Sequence, residues 1–216
     1  ITGETGTGKE LIAEAIHKIS EREGGFVPMN IAGLDDTMLS DTLFGHKKGA
    51  FTGAMESRKG LLQEASQGTI LIDEIGELNP SSQVKLLRLL EHGEYYPLGS
   101  DVRKLNTSRI ILATQQSSED LLHSGLFRKD LYYRIATHNV HLPPLRERKE
   151  DIPLLVHHFI ELACRDLGKE ISHIPPELYT LLSCYHFPGN IRELRSMVWN
   201  AVSKQKSSML SLESFR

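Results

Sequence analysis

Gly3-Glu4-Thr5-Gly6-Thr7-Gly8-Lys9 fits the pattern G-x-x-x-x-G-K and opens directly into a helical periodicity. Glycines let a backbone turn tightly and aim its N–H groups at phosphate oxygens, at a helix N-terminus that already favours negative charge. Lys9 is then placed to reach the β- and γ-phosphates of a nucleotide. A Ser or Thr usually follows, with its hydroxyl on magnesium; here Glu10 follows. On this stretch alone a chance glycine-rich turn stays open, and the remainder of the chain has to decide.

Working outward, Leu11, Ile12, Ala15, Ile16 and Ile19 recur at helical spacing and predict a helix over Lys9–Ile19. Phe26-Val27-Pro28-Met29-Asn30 reads as a short strand, with Pro28 marking a strand end or edge. Residues 34–45 read as a helix and 45–60 as a loop-rich basic stretch. Thr69–Asp73 is a continuous apolar run closed by an acid, the pattern of a buried parallel strand. Asn79-Pro80 supplies an N-cap and a first-turn proline for a helix around Val84–Glu91. Arg109–Ala113 is a further buried strand, and Thr137–Leu142 alternates as a fifth.

Strands alternating with helices imply an α/β layered fold on a mostly parallel sheet, which binds ligands at the carboxyl ends of its strands. After Pro143-Pro144 the strand signals stop. Helices are predicted around Leu155–Leu167, Leu178–Leu182 and Ile191–Ala201, with Asn190 and Glu193 as N-cap and capping box of the last. The expected division is a nucleotide-binding domain over residues 1–144 and a small helical domain over 145–216.

The bulk properties exclude several classes. A net charge of −3 argues against a protein that binds nucleic acid over its whole surface. Cys164 and Cys184 stand far apart with no C-x-x-C, which points to a reducing compartment and away from a metal centre. No apolar run approaches the ~18 residues of a membrane span, and no signal peptide is visible. The expected setting is cytoplasmic, without a membrane partner. Because the chain opens in mid-strand at Ile1-Thr2, it is expected to be an excerpt of a longer protein.

Asp73-Glu74 closes the apolar strand, and adjacent acids there have separable jobs. Asp73 can hold the magnesium of a nucleotide, and Glu74 can orient and deprotonate an attacking water. An acid pair at a strand end is often only a capping turn. Behind a phosphate loop, it points to ATP or GTP chemistry.

With both motifs in place, Gly3–Glu10 resembles the Walker A sequence of bacterial enhancer-binding proteins, the AAA+ activators of sigma-54 RNA polymerase. In that family Glu commonly follows the Lys, which accounts for Glu10. Gly49-Ala50-Phe51-Thr52-Gly53-Ala54 is letter for letter the family's GAFTGA loop, preceded by Leu43-Phe44-Gly45-His46. Further matches are Gly68–Glu77, Phe127–Arg134, Pro143–Arg148 and Phe187–Leu194, which follow the family's order over nearly the whole chain.

The resemblance implies an AAA+ P-loop αβα sandwich with a mostly parallel five-stranded sheet, followed by an α-helical lid. It implies ATP and Mg2+ as ligands, held by Gly3, Glu4, Thr5, Gly6, Thr7, Gly8, Lys9, Glu10, Leu11 and Asp73. It implies Glu74 as the catalytic acid, restrained by Asn30, and Arg128 and Arg134 as fingers that reach a neighbour's ATP site in a hexameric ring. Arg192 matches the sensor II arginine of the lid. Gln115 stands at the sensor I position where Asn is usual, and Thr42 where Glu is usual; both are departures.

The resemblance further implies that residues 49–54, with Phe51 exposed as an anchor, touch sigma-54 within the RNA polymerase holoenzyme. Promoter and enhancer DNA are expected partners through domains absent from this chain. His46, Lys47 and Lys48 are expected to form a solvated basic face. A second reading, a nucleotide-dependent binding module that hydrolyses poorly, stays beside the motor reading.

Overall fold

The computed structural model describes residues 1–123, 125–205 and 209–215. Its contacts divide the chain into two compact units, Ile1–Thr2 with Lys9–His141, and Gly3–Gly8 with Leu142–Arg216. The phosphate loop thus groups with the helical unit, although both of its flanks belong to the other.

The first unit opens with α1 (Lys9–Ile19), β1 (Phe26–Asn30) and α2 (Asp36–Phe44). A short antiparallel pair follows, β2 (Gly45–His46) with β3 (Arg58–Lys59), then α3 (Leu61–Glu64) and β4 (Thr69–Asp73). Helix α4 (Pro80–His92), the small pair β5 (Glu94–Tyr95) and β6 (Lys104–Leu105), and β7 (Arg109–Leu112) come next, with α5 (Ser118–His123) and α6 (Lys129–Ile135) last.

β4 is central and pairs in parallel with β1 and β7, in a register that sets Asn30 beside Asp73 and Ile72 beside Leu112. Beyond β7, Thr2 bridges in parallel to both Thr114 and His141. All five expected strand positions are therefore used, but two of them are single bridges. Thr2 thus lies between Thr114 and residues 137–142, which it meets among the described residues at His141.

The apolar run of β4 is buried on both faces, as a parallel strand between helical layers must be. Ile70 and Ile72 pack with Leu39 and Leu43 of α2, Leu86 of α4 and Leu131 of α6. Leu71 points the other way, with Ile111 against Ala13 and Ile16 of α1. The period of two along the strand thus feeds two hydrophobic layers, each such side chain contributing about 1.5–3 kcal/mol by burial. Pro28 sits within β1, which is an edge strand of this sheet.

Chain signals also fix the helix ends. Asn79 accepts a hydrogen bond from Ser82 N at 2.9 Å ahead of Pro80, and Gly93 closes α4 with φ +67. Asp35 caps α2 by accepting from Met38 N at 2.7 Å.

The second unit contains α7 (Ile152–Leu167), α8 (Glu177–Ser183) and α9 (Asn190–Lys204) around Val156, Phe159, Ile160, Leu178, Leu182, Leu194 and Val198. The cap of α9 differs from the expected one. Gly189 is the N-cap, and Glu193 accepts from its N–H at 2.8 Å, so the box is shifted by one residue. Asn190 is the first helical residue and is fully buried, which frees its amide for the phosphate loop.

Candidate functional site

Within the helical unit the loop Gly3–Gly8 is held from several directions. Arg146 donates to both carboxylate oxygens of Glu4, at 2.8 and 2.6 Å. Asn190 Nδ2 donates to Glu4 Oε2 at 3.1 Å and to Thr5 O at 3.0 Å, while its Oδ1 accepts from Leu145 N at 2.8 Å. Arg148 donates to Thr7 O at 2.9 Å, and Ile191 N to Gly6 O at 3.0 Å. Arg146 and Asn190 hold the Glu4 carboxyl down to about 2. Gly6 has φ +79, and a Cβ there would lie 2.3 Å from Gly189 O and 3.1 Å from the Cβ of Arg192. The loop and the start of α9 therefore touch backbone to backbone, which only glycine permits.

Within the other unit Lys9 is buried at the first turn of α1. Asp73 ends β4, and its Oδ1 accepts from Glu74 N at 2.9 Å. Glu74 itself is left-handed, φ 64 and ψ 39, a conformation a non-glycine residue holds only where its surroundings impose it. Burial pushes the Glu74 carboxyl above its ordinary range, and neighbouring Asp73 pushes the same way; Lys9 and the Gln115 main-chain N–H pull it back. A carboxyl of raised basicity beside a second carboxyl has the pattern of a general base paired with a metal ligand. The donor set fits a magnesium nucleotide: Asp73 offers a hard oxygen ligand, and Lys9 a buried cation at a helix start.

The segment 49–54 rises from β2 and β3. Asp41 of α2 accepts from Arg58 at 2.9 Å and also faces His46 Nδ1. His46 Nε2 lies 2.7 Å from Glu56 O, so both ring nitrogens face oxygen acceptors. The expected solvated face is therefore corrected at His46, whose side chain is 11% exposed and ties the base of the loop. Gly49 N donates to Ala54 O at 2.9 Å and Ala54 N to Phe51 O at 3.0 Å. Phe51 is 37% exposed and its ring sits edge-on to His46, with centroids 5.0 Å apart, so this anchor does have a local surface to rest on.

Comparison with known proteins places this arrangement. The sigma-54 interaction domain family matches residues 1–141, and the AAA+ ATPase lid domain family matches residues 146–216. The chain belongs to the sigma-54 interaction domain family. It is 45% identical to the regulatory protein AtoC of Escherichia coli over 94% of this chain and 44% of that one. It is 44% identical to the transcriptional regulator NtrC of Salmonella typhimurium, over 91% of this chain and 42% of the relative. The NtrX structure of Brucella abortus in complex with ADP superposes with a TM-score of 0.89 at 31% identity, over all of this chain and 48% of that one. The chain spans less than half the length of the curated relatives it matches.

Other residues expected to serve this sigma-54 interaction domain occupy more local roles in the structure. Asn30 accepts from Ala32 N at 2.8 Å, a turn-forming bond, at a strand end adjacent to Asp73. Arg128 pairs with both oxygens of Asp130, at 3.0 and 2.7 Å, and Arg134 donates to Leu90 O at 3.2 and 2.7 Å. Gln115 is exposed and reaches Glu74 through its main chain. Arg192 is exposed on α9 beside Gly6, while Glu10 and Leu11 lie exposed on α1. Glu4–Arg146, Arg148 and the amide of Asn190 have no signal in spacing, because their partners lie more than a hundred residues away.

Proposed function

We propose that this domain hydrolyses ATP in a hexameric ring in the cytoplasm and uses the cycle to move residues 49–54 against sigma-54. RNA polymerase holoenzyme would thereby pass from the closed to the open promoter complex, with enhancer DNA bound by other domains of the whole protein. Main-chain N–H groups of Gly3–Gly8 and the Lys9 ammonium bind the phosphates. Asp73 would hold the magnesium, which would supply charge neutralisation at the phosphates. Glu74 takes the proton of the attacking water, with Asn30 as its restraint and Gln115 and Arg192 as reporters of nucleotide state. Arg128 and Arg134 stabilise phosphoryl charge in the neighbouring subunit. Gly49, Ala50, Phe51, Thr52, Gly53 and Ala54 form the partner surface.

The observation that carries this proposal is the environment of Glu74, a carboxyl of raised basicity held in a left-handed turn next to Asp73. Glu74→Ala is expected to abolish measurable ATP turnover while ATP still binds; unchanged turnover would favour a binding module instead. For the partner, native gels should show a ring-sized complex with purified sigma-54 only when ADP and a metal fluoride are present. Thr52→Ala should lose it. Nucleotide binding without any capture of sigma-54 would sink the activator reading.

A further inference from the structure

We infer that Gln83 is a positioning residue that sets Arg128 for the neighbouring subunit, which rests on the reading of Arg128 as a finger acting in trans. Gln83 lies on α4 and is 1% exposed. Its Nε2 donates to Leu78 O at 2.8 Å and to Leu126 O at 3.0 Å, and its Oε1 accepts from Arg128 N at 2.8 Å. Both donors and the acceptor of one buried amide are thus spent on the main chain. A primary amide in that position is costly to leave unsatisfied, so the three bonds fix one another's geometry.

The groups it joins give this tie its meaning. Leu78 closes the turn that starts at Glu74, through Glu77 N to Glu74 O at 3.0 Å and Leu78 N to Ile75 O at 3.2 Å. Leu126 and Arg128 flank Phe127, which is buried in the same core as Leu131. The main chain entering α6 is therefore pinned twice, by the Phe127 ring and by the Gln83 amide on either side of it. The Arg128 side chain stays 46% exposed, with its guanidinium on Asp130. One amide thus links a subunit's own acid turn to the base of the finger it offers next door. Displacing such a base by ~1 Å can cost ~100-fold in rate.

Mixed rings separate this role from plain structural support. Arg128→Ala subunits keep the acid, and Glu74→Ala subunits keep the finger. A mixture regains turnover only where the second presents Arg128 to the first. Adding Gln83→Leu to the Glu74→Ala subunit is expected to lower that restored turnover about 10- to 100-fold. Adding it to the Arg128→Ala subunit, whose finger is already gone, is expected to lower the restored turnover far less. Equal losses in both placements, including misfolding, would make Gln83 a general tie and overturn the proposal, as would no loss in either. If the parent mixture regains nothing, the in-trans reading of Arg128 fails first, and the role of Gln83 falls with it.

Discussion

Gly3–Gly8 and Gly49–Ala54 are both short, glycine-rich and punctuated by threonine, yet they are held in opposite ways. The first receives bonds from Arg146, Arg148, Asn190 and the Ile191 N–H, and Gly6 lies against the Gly189 main chain. Among the described residues the second is closed mainly by bonds within itself, with Ala50 bonded to Lys47 O and packed close to Gly99, and Phe51 resting on His46. Glycine decides which conformations a loop can reach; the groups around it decide which one it keeps. A loop that grips charged oxygens profits from being fixed before its ligand arrives. A loop that must change partners profits from holding on lightly.

Substitutions can break this contrast, and the largest effect is expected at Gly6→Ala. The left-handed φ and the 2.3 Å approach to Gly189 O leave no room for the new methyl. A loss of about 3–5 kcal/mol is expected, lowering Tm by about 10 °C, with ATP binding lost in parallel. Asn190→Ala comes next. It orphans Leu145 N and removes the donor to Glu4 and Thr5 O in a fully buried place, at about 2–3 kcal/mol by chemical denaturation.

Gly53→Ala tests the other loop. It has φ +100, but among the described residues nothing lies within 4 Å of the added methyl. A cost of only about 1 kcal/mol is expected in thermal unfolding. An equal cost at Gly6 and Gly53 would erase the distinction between the two loops.

The smallest effect is expected at Glu4→Gln, because the ion pair with Arg146 is partly exposed and screened by solvent. Its sign is set by pH. The Glu4 carboxyl is held at about 2 against 4.5 for an unperturbed side chain. Its contribution is therefore complete above pH 4.5 and fades as pH falls towards 2. The Tm gap between wild type and Glu4→Gln should close over that interval; a gap independent of pH would remove the carboxylate from the account.

What the sequence disclosed was local. Lys9–Ile19 and Thr69–Asp73 coincide with the observed elements, because each is written in its own periodicity and end signals. Alternation over Thr137–Leu142 marked the fifth strand position, which among the described residues takes the form of a single parallel bridge, His141 with Thr2, because a strand is registered only where a neighbour pairs with it. Asn190 showed its place at a helix start but not its task, because hydrogen bonds to residues 4, 5 and 145 leave no mark in spacing. Gln83 reads as one more polar position on α4, and its burial emerges only from how α4 packs. His46 was legible as a charge and not as a joint, for the same reason.

Pro28 carries a last consequence. It lies in an edge strand, where every free N–H is an invitation to another chain. Proline has none to offer at that position. A passing strand that tried to zip onto β1 would meet a gap in the ladder, which discourages fibre-like stacking at the very border where the sheet would otherwise be open to growth.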